Sequence, residues 1–223
     1  MSVITELTVY IIKLVENLIL SLGYSGVFIL MLLEGMLLPI PSEVVMTFSG
    51  YLAYYGLMGG FNSIINVILL LIIGSVGDLV GALIAYAIGK YGGDPFILKY
   101  GKYLMLKKDT VDRTKAWFAA YGELSVFTTR FLPVFRTFIS IPAGMALMSL
   151  KKFSFFTLLG DLIYDAILIY IGIVLGSRWE VILKYFDQFS YVAVIIFIAI
   201  VIYVYLKLRS RNIKTLKNGK TNK

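Results

Sequence analysis

The chain has 223 residues, of which 59% are hydrophobic, and its formal net charge is +8. A soluble protein this apolar would expose large aggregating patches, so the sequence predicts a polytopic membrane protein. There is no Cys and no His, which excludes disulfides, thiol catalysis, a Ser-His-Asp triad and metal sites built from either residue. We predict no cofactor and no metal. We also predict no nucleic-acid partner, because the cations lie in loops beside apolar spans, where they act as a signal for membrane topology.

The order of apolar and polar segments predicts one all-α membrane domain, residues 1–206, followed by a basic cytoplasmic tail, 207–223. Its predicted parts are a helix at 3–21, a broken apolar segment at 25–55, an uncharged loop at 54–63, a span at 64–89, a basic loop at 90–115, a second broken segment at 120–150, a span at 153–176, a polar loop at 178–187 and a final span at 189–206. The helix at 3–21 is only loosely periodic, so both a span and a helix lying on the membrane surface stay open.

The first broken segment, 25–55, carries Glu34 and Glu43 on either side of Pro39 and Pro41. Each arm has about a dozen residues and reaches about 18 Å, which is short of the ~30 Å hydrocarbon core. We therefore predict a re-entrant helical hairpin that breaks at the two prolines.

Charged side chains are rare in the surrounding apolar sequence. Carboxylates in such a setting are costly and commonly functional, so Glu34, Glu43 and Asp78 are candidates for proton or ion coupling. Asp78 adjoins small residues at four-residue spacing, which predict close helix packing and occupy positions Gly77, Gly81, Ala85 and Gly89. Ser42 is predicted to cap the second arm of the hairpin.

The second broken segment, 120–150, carries two arginines around Pro133, and we predict a second hairpin that breaks there. Guanidinium groups offer a planar donor fork that suits phosphate oxygens, so Arg130 and Arg136 are candidates for binding a lipid phosphate. Alternatively, the arginines only neutralise the acidic residues of the first half. The two roles can also combine, with the arginines paired when the site is empty and exchanged for phosphate when it is loaded.

An internal repeat is indicated by spacings that recur in the two halves, about 25–93 and about 120–176. Pro39 precedes Gly50 by as many residues as Pro133 precedes Gly144. Asp78 stands before Gly89 and Gly93 as Asp161 stands before Gly172 and Gly176. Since basic loops place the hairpins on opposite sides, an inverted repeat is predicted, as in many transporters. Secondary site candidates are Asp161, Asp165, Tyr86 and Gly144.

Three stretches resemble the DedA family, also called the SNARE-associated or VTT-domain family. They are EGMLLPIPSEVVMTFSG at 34–50, GDLVGALIAYAIGKYGG at 77–93 and RFLPVFRTFISIPAG at 130–144. The resemblance covers roughly 25–175 and implies a polytopic fold with two re-entrant hairpins facing each other. It differs at the start of the later span, KKFSFFTLLGDLIYDA, where bacterial members often carry Asn and Trp.

The resemblance implies a flippase or scramblase that moves a phosphate-bearing lipid, of undecaprenyl or dolichyl phosphate type, in the plasma membrane. Coupling to a proton or sodium gradient is part of that expectation. The alternatives are an ion-coupled transporter of a small solute or anion and a membrane-homeostasis scaffold that transports nothing. We predict that the protein is not an enzyme, since a lipid phosphatase or transferase would need groups such as His or a D-D-x-x-D cluster. Homo-oligomerisation stays open.

The Lys and Arg distribution predicts that both termini and residues 90–115 face the cytoplasm and that residues 54–63 face outside. Single cysteines introduced by Met58→Cys, Met105→Cys and Thr215→Cys test this with an impermeant maleimide, because the chain has no native Cys. We expect labelling at position 58 from the outer side and at the other two from the cytoplasmic side. Labelling of positions 58 and 105 from the same side would contradict the topology.

Overall fold

The described part of the chain is helical. The computed structural model describes residues 3–100, 108–132 and 135–178, and these ranges contain helices but no strand. The α-helices are α1 Val3–Leu22, α2 Tyr24–Gly35, α3 Ser42–Tyr54, α4 Ser63–Tyr100, α5 Lys108–Thr129, α6 Phe135–Phe138, α7 Ser140–Met145 and α8 Leu150–Leu175, and a short 3-10 helix follows at Gly176–Arg178. The predicted all-α class is therefore confirmed for these residues.

Some predictions fall elsewhere in the chain. Pro133, the loop beyond Arg178, the final span at 189–206 and the tail at 207–223 lie outside the described residues. The described helices belong to one compact unit, Met1–Val181.

Two described helices are long and apolar enough to cross a membrane. They are Ser63–Gly92, within α4, and Leu150–Leu175, which is α8. At 1.5 Å per residue their lengths are about 45 and 39 Å, which exceed the ~30 Å hydrocarbon core. These helices contain the span predicted at 64–89 and all but the last residue of the span predicted at 153–176.

The first broken segment is interrupted where the sequence predicts. The helices α2 and α3 have 12 and 13 residues and are separated by residues 36–41, which include Pro39 and Pro41. The N–H of Leu37 donates to Glu34 O and the N–H of Leu38 donates to Leu33 O, the paired bonds of a Schellman ending. Leu37 has φ 76°, a conformation that normally favours glycine.

The predicted cap at Ser42 is wrong. The helix α3 begins at Ser42 itself, Pro41 is the N-cap, and the cap makes no side-chain hydrogen bond. The Pro41 carbonyl accepts hydrogen bonds from the N–H groups of Val44 and Val45. The fixed φ of proline ends the extended stretch one residue earlier than expected, which places Ser42 inside the first turn with its side chain buried.

The basic segment predicted as a loop at 90–115 is helical at both ends, since α4 continues to Tyr100 and α5 begins at Lys108. Gly92, Gly93 and Pro95 lie inside α4, where the backbone hydrogen bonds of a long helix outweigh the low helix propensity of glycine and proline.

The second broken segment contains an interruption that the sequence analysis did not predict. After α5 ends, two short helices replace a single arm, α6 with 4 residues and α7 with 6 residues. Pro142 has no N–H to donate to the carbonyl of Phe138, four residues earlier, so a continuous helix is interrupted between them.

Glycines bring the helices into backbone contact. A Cβ atom built on Gly81 would overlap the carbonyl oxygen of Leu32 in α2, and one on Gly35 would lie 2.5 Å from the carbonyl oxygen of Asp78 in α4. These positions confirm that the small residues beside Asp78 pack against another helix. Because helices in a membrane gain little from the hydrophobic effect, such close approach is a main source of their association.

Contacts between the two halves are reciprocal. Gly144 in α7 packs on the carbonyl of Tyr86 in α4, as Gly50 in α3 packs on the backbone of Ile169 in α8. Likewise, Gly89 in α4 packs on the carbonyl of Ile141, as Gly172 in α8 packs on that of Thr47. Tyr86 and Ile169 are separated by the same number of positions as Gly89 and Gly172. The glycines whose spacing recurs in the two halves therefore make corresponding contacts.

Replacing a contact glycine should loosen this packing. We expect Gly172→Ala and Gly144→Ala each to lower the thermal stability of the purified protein, because the new methyl group would overlap a backbone carbonyl. Gly92→Ala is the matched control, since a Cβ at this helical position has no neighbour within 4 Å and alanine favours a helix by about 1 kcal/mol. Equal stability of all three variants would contradict this account of the packing.

Candidate functional site

Charged side chains converge in the interior from separate elements. Glu34 comes from the end of α2, Asp78 from α4, Arg130 from the residue after α5, Arg136 from α6 and Asp161 from α8. Each of these residues is at most 5% exposed. We call these five residues the charged cluster.

Arg136 joins the first half of the chain to the second. Its Nη2 donates to Oε2 of Glu34 over 2.9 Å and to Oδ2 of Asp78 over 2.5 Å. One guanidinium nitrogen thus serves two carboxylates from different helices, and charge-assisted bonds of this type are stronger than neutral ones.

Arg130 extends the network to α8. Its Nη1 lies 3.6 Å from Oδ2 of Asp78 and 3.4 Å from Oδ1 of Asp161, and its Nη2 donates to Oγ1 of Thr157 over 3.2 Å. Asp78 is therefore shared by both arginines and lies at the centre of the charged cluster.

Two further acids border the cluster. Asp165 accepts a hydrogen bond from Oγ of Ser75 over 2.8 Å. Glu43 accepts one from the Tyr164 hydroxyl over 3.0 Å, and the centroid of the Tyr164 ring is 4.9 Å from Cζ of Arg136. This cation–π contact places Glu43 one side chain away from Arg136.

Small residues let these side chains meet. Gly35 allows the backbone of Asp78 to approach α2, and a Cβ built on Gly160 would lie 2.8 Å from the Arg130 side chain. The prediction that Asp78 faces protein is confirmed, since the residue is 0% exposed.

The network leaves polar atoms unused. Within the described ranges, Nε and Nη1 of both arginines have no hydrogen-bond partner, nor do Oδ1 of Asp78 and both carboxylate oxygens of Asp161. Two guanidinium groups face four buried carboxylates when Asp165 is counted with the cluster. Buried groups of this kind are expensive to leave unpaired. The arrangement can therefore accept an anion at its free donors and protons at its free acceptors.

A metal site is not indicated by the part of the chain that the structure describes, where no group of three or more Asp or Glu residues has the geometry to hold an ion.

The predicted site residues are only partly brought together. Glu34, Asp78, Arg130, Arg136 and Asp161 meet directly, while Glu43 and Asp165 border them. Pro39 and Pro41 lie in the break of the first segment, as predicted.

Tyr86 and Gly144 lie apart from the cluster and serve packing. The Tyr86 hydroxyl donates to the carbonyl of Met148, and its ring centroid lies 4.8 Å from that of Phe153. Gly144 packs on the backbone of Tyr86.

The sequence analysis did not identify Thr157, Ser75 or Tyr164 as parts of the site. Thr157 stands four residues before Asp161, and Ser75 stands three before Asp78, so helical spacing places each hydroxyl on the same face as an acid. That signal could have found both. The link from Tyr164 to Glu43 joins distant parts of the chain and has no comparable local signal.

Comparisons with known proteins agree on one family. The family model described as VTT domain matches residues 40–174. The protein named undecaprenyl phosphate transporter A of Bacillus subtilis is 41% identical over 160 residues, which cover 72% of this chain and 75% of the relative. The protein of the same name from Staphylococcus aureus is 32% identical, over 81% of this chain and 87% of the relative.

A protein of Lactococcus lactis named alkaline phosphatase-like protein is 37% identical over 175 residues, which cover 76% of this chain and 78% of the relative. No solved structure gives a significant match. The family match spans more than half of the sequence and includes most of the residues of the charged cluster. The chain therefore belongs to the VTT-domain family, the DedA family that its motifs indicate.

Proposed function

We propose that this protein moves a phosphate-bearing lipid of the polyprenyl phosphate type between the leaflets of the plasma membrane. Two relatives with 41% and 32% identity carry the name undecaprenyl phosphate transporter A, which supports this lipid class. The charged cluster supplies the matching chemistry, because arginine forks bind phosphate oxygens through several donors at once.

The observation that carries the proposal is the set of arginine donors that make no hydrogen bond. Nε and Nη1 of Arg130 and of Arg136 are buried and, among the described residues, make no hydrogen bond. A phosphate monoester offers three terminal oxygens as acceptors. The two arginines can therefore receive it while the rest of the lipid stays in an apolar surrounding.

The buried carboxylates allow the arginines to bind and release phosphate reversibly. In the structure Arg136 is bound to Glu34 and Asp78. An arriving phosphate would replace these carboxylates at the guanidinium group, and the released carboxylates, buried beside a new anion, would take up protons. We assign Glu34, Glu43 and Asp78 to this coupling, with Asp161 and Asp165 as additional acceptors.

The proposed architecture is an inverted repeat of two re-entrant hairpins, each followed by a span. The reciprocal glycine contacts of α3 with α8 and of α7 with α4 support it. The charged cluster then lies at the interface of the halves, where transporters of this architecture bind their substrates. The cation distribution supports cytoplasmic termini.

Leaflet exchange in vesicles tests the function. Labelled undecaprenyl phosphate is followed in proteoliposomes, and the release of inorganic phosphate is measured in the same samples. We expect exchange without headgroup turnover. Turnover would instead favour an enzyme, and exchange no faster than in protein-free vesicles would contradict the proposal.

The planar donor geometry of Arg136 should contribute more to phosphate binding than its positive charge alone. We expect Arg136→Lys to weaken binding of undecaprenyl phosphate by about 1.5–3 kcal/mol, which is about tenfold to 150-fold, because a lysine cannot take two phosphate oxygens in a planar fork. Binding is measured with purified protein whose folding is checked by thermal stability. Wild-type affinity in both Arg130→Ala and Arg136→Ala would rule out a phosphate receptor.

The double variant Arg136→Ala with Glu34→Gln separates the two roles of the arginine. If Arg136 only balanced buried carboxylates, the double variant would regain both stability and lipid binding. We expect it to regain stability but not lipid binding.

Proton uptake on binding fixes the sign of the pH dependence. Affinity for undecaprenyl phosphate should rise as the pH is lowered from about 8 to about 6.5, by up to about tenfold per pH unit for each proton taken up. This range lies above the second ionisation of a phosphate monoester, near 6. We expect Glu34→Gln to reduce this slope, because the amide cannot take up a proton. An unchanged slope in both Glu34→Gln and Glu43→Gln would exclude these carboxylates as the coupling groups.

A further inference from the structure

A groove of about 700 Å³ lies between α5 and the beginning of α8. Its walls include Leu124 and Phe127 from α5, Leu147 and Met148 from the preceding turn, and Phe156 from α8. This volume falls within the range of ~300–1,000 Å³ that is typical of ligand sites, and the lining suits a hydrocarbon chain.

An ion pair crosses the groove. Nζ of Lys152 in α8 lies 2.5 Å from Oε1 of Glu123 in α5, and the two side chains are 61% and 46% exposed. An exposed pair of this kind shifts an equilibrium by at most about fivefold. Lys152 can therefore exchange Glu123 for another anion at little cost.

The same edge of the groove favours an anion. Ser149, which also lines it, is the N-cap of α8, and this cap makes no side-chain hydrogen bond. The first N–H groups of a helix attract negative charge, and no acidic residue occupies the first turn of α8. Lys152, in the first turn of α8, adds a positive charge to this edge. Such an edge attracts a phosphate monoester, with a charge of about −1.5 to −2, more strongly than a singly charged phosphodiester.

Both walls lead from the groove to the charged cluster. On α5, Phe127 lines the groove and its carbonyl accepts a hydrogen bond from the N–H of Arg130 over 3.3 Å. On α8, Phe156 lines the groove and is followed directly by Thr157, which accepts a hydrogen bond from Arg130. The groove therefore ends about one helical turn from a proposed phosphate ligand.

We propose that this groove is the loading site through which a polyprenyl phosphate passes between the cytoplasmic leaflet and the charged cluster. The isoprenoid chain lies along the apolar walls, and the phosphate binds Lys152 and the N-terminus of α8 before it reaches Arg130. The ion pair between Lys152 and Glu123 is the latch that the phosphate opens. This inference rests on the proposed function and extends it to the route of the lipid.

Removing the charge of Lys152 and removing that of Glu123 should have opposite effects on the rate of lipid exchange. In proteoliposomes, Lys152→Gln should slow exchange of labelled undecaprenyl phosphate, because the first phosphate contact is lost. Glu123→Gln should accelerate exchange by up to about fivefold, because Lys152 no longer has a competing partner. Lys13→Gln, an exposed lysine of α1, is the matched control and should change nothing. If both latch variants change the rate in the same direction, as for a pair that only ties α5 to α8, the proposal is wrong.

Crosslinking tests the occupant directly. A benzoylphenylalanine at Leu124, which is exposed and lines the groove, should crosslink to labelled undecaprenyl phosphate, whereas one at the exposed Ile167 of α8, which is not among the groove residues, is the control. We expect unlabelled undecaprenyl phosphate to suppress labelling at Leu124 and phosphatidylglycerol to leave it unchanged. Equal competition by phosphatidylglycerol would mean that the groove holds ordinary anionic lipid, and equal labelling at Ile167 would mean contact with bulk lipid; either result overturns the proposal.

The two experiments separate this inference from the proposed function. If both latch variants change the rate in the same direction while the wild-type protein exchanges undecaprenyl phosphate, the loading site is wrong and the proposed function stands. If the wild-type protein exchanges no lipid phosphate, the proposed function is wrong, and the crosslinking competition alone decides whether the groove binds this lipid.

Discussion

The structure depends on one shared carboxylate. Asp78 contacts Arg136 from α6 and Arg130 from the turn after α5, while Arg136 also binds Glu34 from α2 and Arg130 lies near Asp161 of α8. Every one of these groups is buried. Removing one partner of a buried pair leaves an uncompensated charge and typically costs about 3–5 kcal/mol. The charges therefore fix how the elements of the two halves meet.

Glycine packing makes this network geometrically feasible. Carboxylate and guanidinium groups can meet in the interior only if their helices approach more closely than ordinary side chains allow. Gly35 and Gly81 bring α2 against α4, and Gly160 of α8 leaves room for the side chain of Arg130. Polar attraction and backbone contact thus reinforce each other, in a setting where apolar side chains gain as much from lipid as from protein.

A network that is both buried and incompletely satisfied is suited to exchange. A fully bonded cluster would be a rigid structural element, since every alternative partner would have to break a good contact. Here donors on both arginines that make no hydrogen bond lie beside oxygens of Asp78 and Asp161 that accept none. Under the proposed function, an incoming anion would bind these donors, and the ion pairs of Arg136 with Glu34 and Asp78 would form again when the anion leaves.

Local chemistry allowed much of this protein to be predicted from sequence. Apolar composition fixes the membrane class, proline fixes φ and removes a donor so that Pro39 and Pro41 mark a break, and the cost of isolated charges in apolar segments identifies Glu34, Asp78, Arg130 and Arg136 as a group. These effects act residue by residue or between neighbours, and a sequence displays them directly. They also misled where two local preferences competed, as at Ser42 beside Pro41, and they did not reveal the interruption of the helix before Pro142.

Tertiary structure alone decided which charged groups pair. No spacing rule connects Arg136 with Glu34 or Tyr164 with Glu43, because these contacts join residues about a hundred positions apart. The groove between α5 and α8 likewise exists only because residues from separate segments of the chain line it together. The pairing of charged groups and the presence of cavities depend on how whole helices pack against one another. That packing results from many contacts between residues that are distant in the sequence, so it can be seen only in the folded chain.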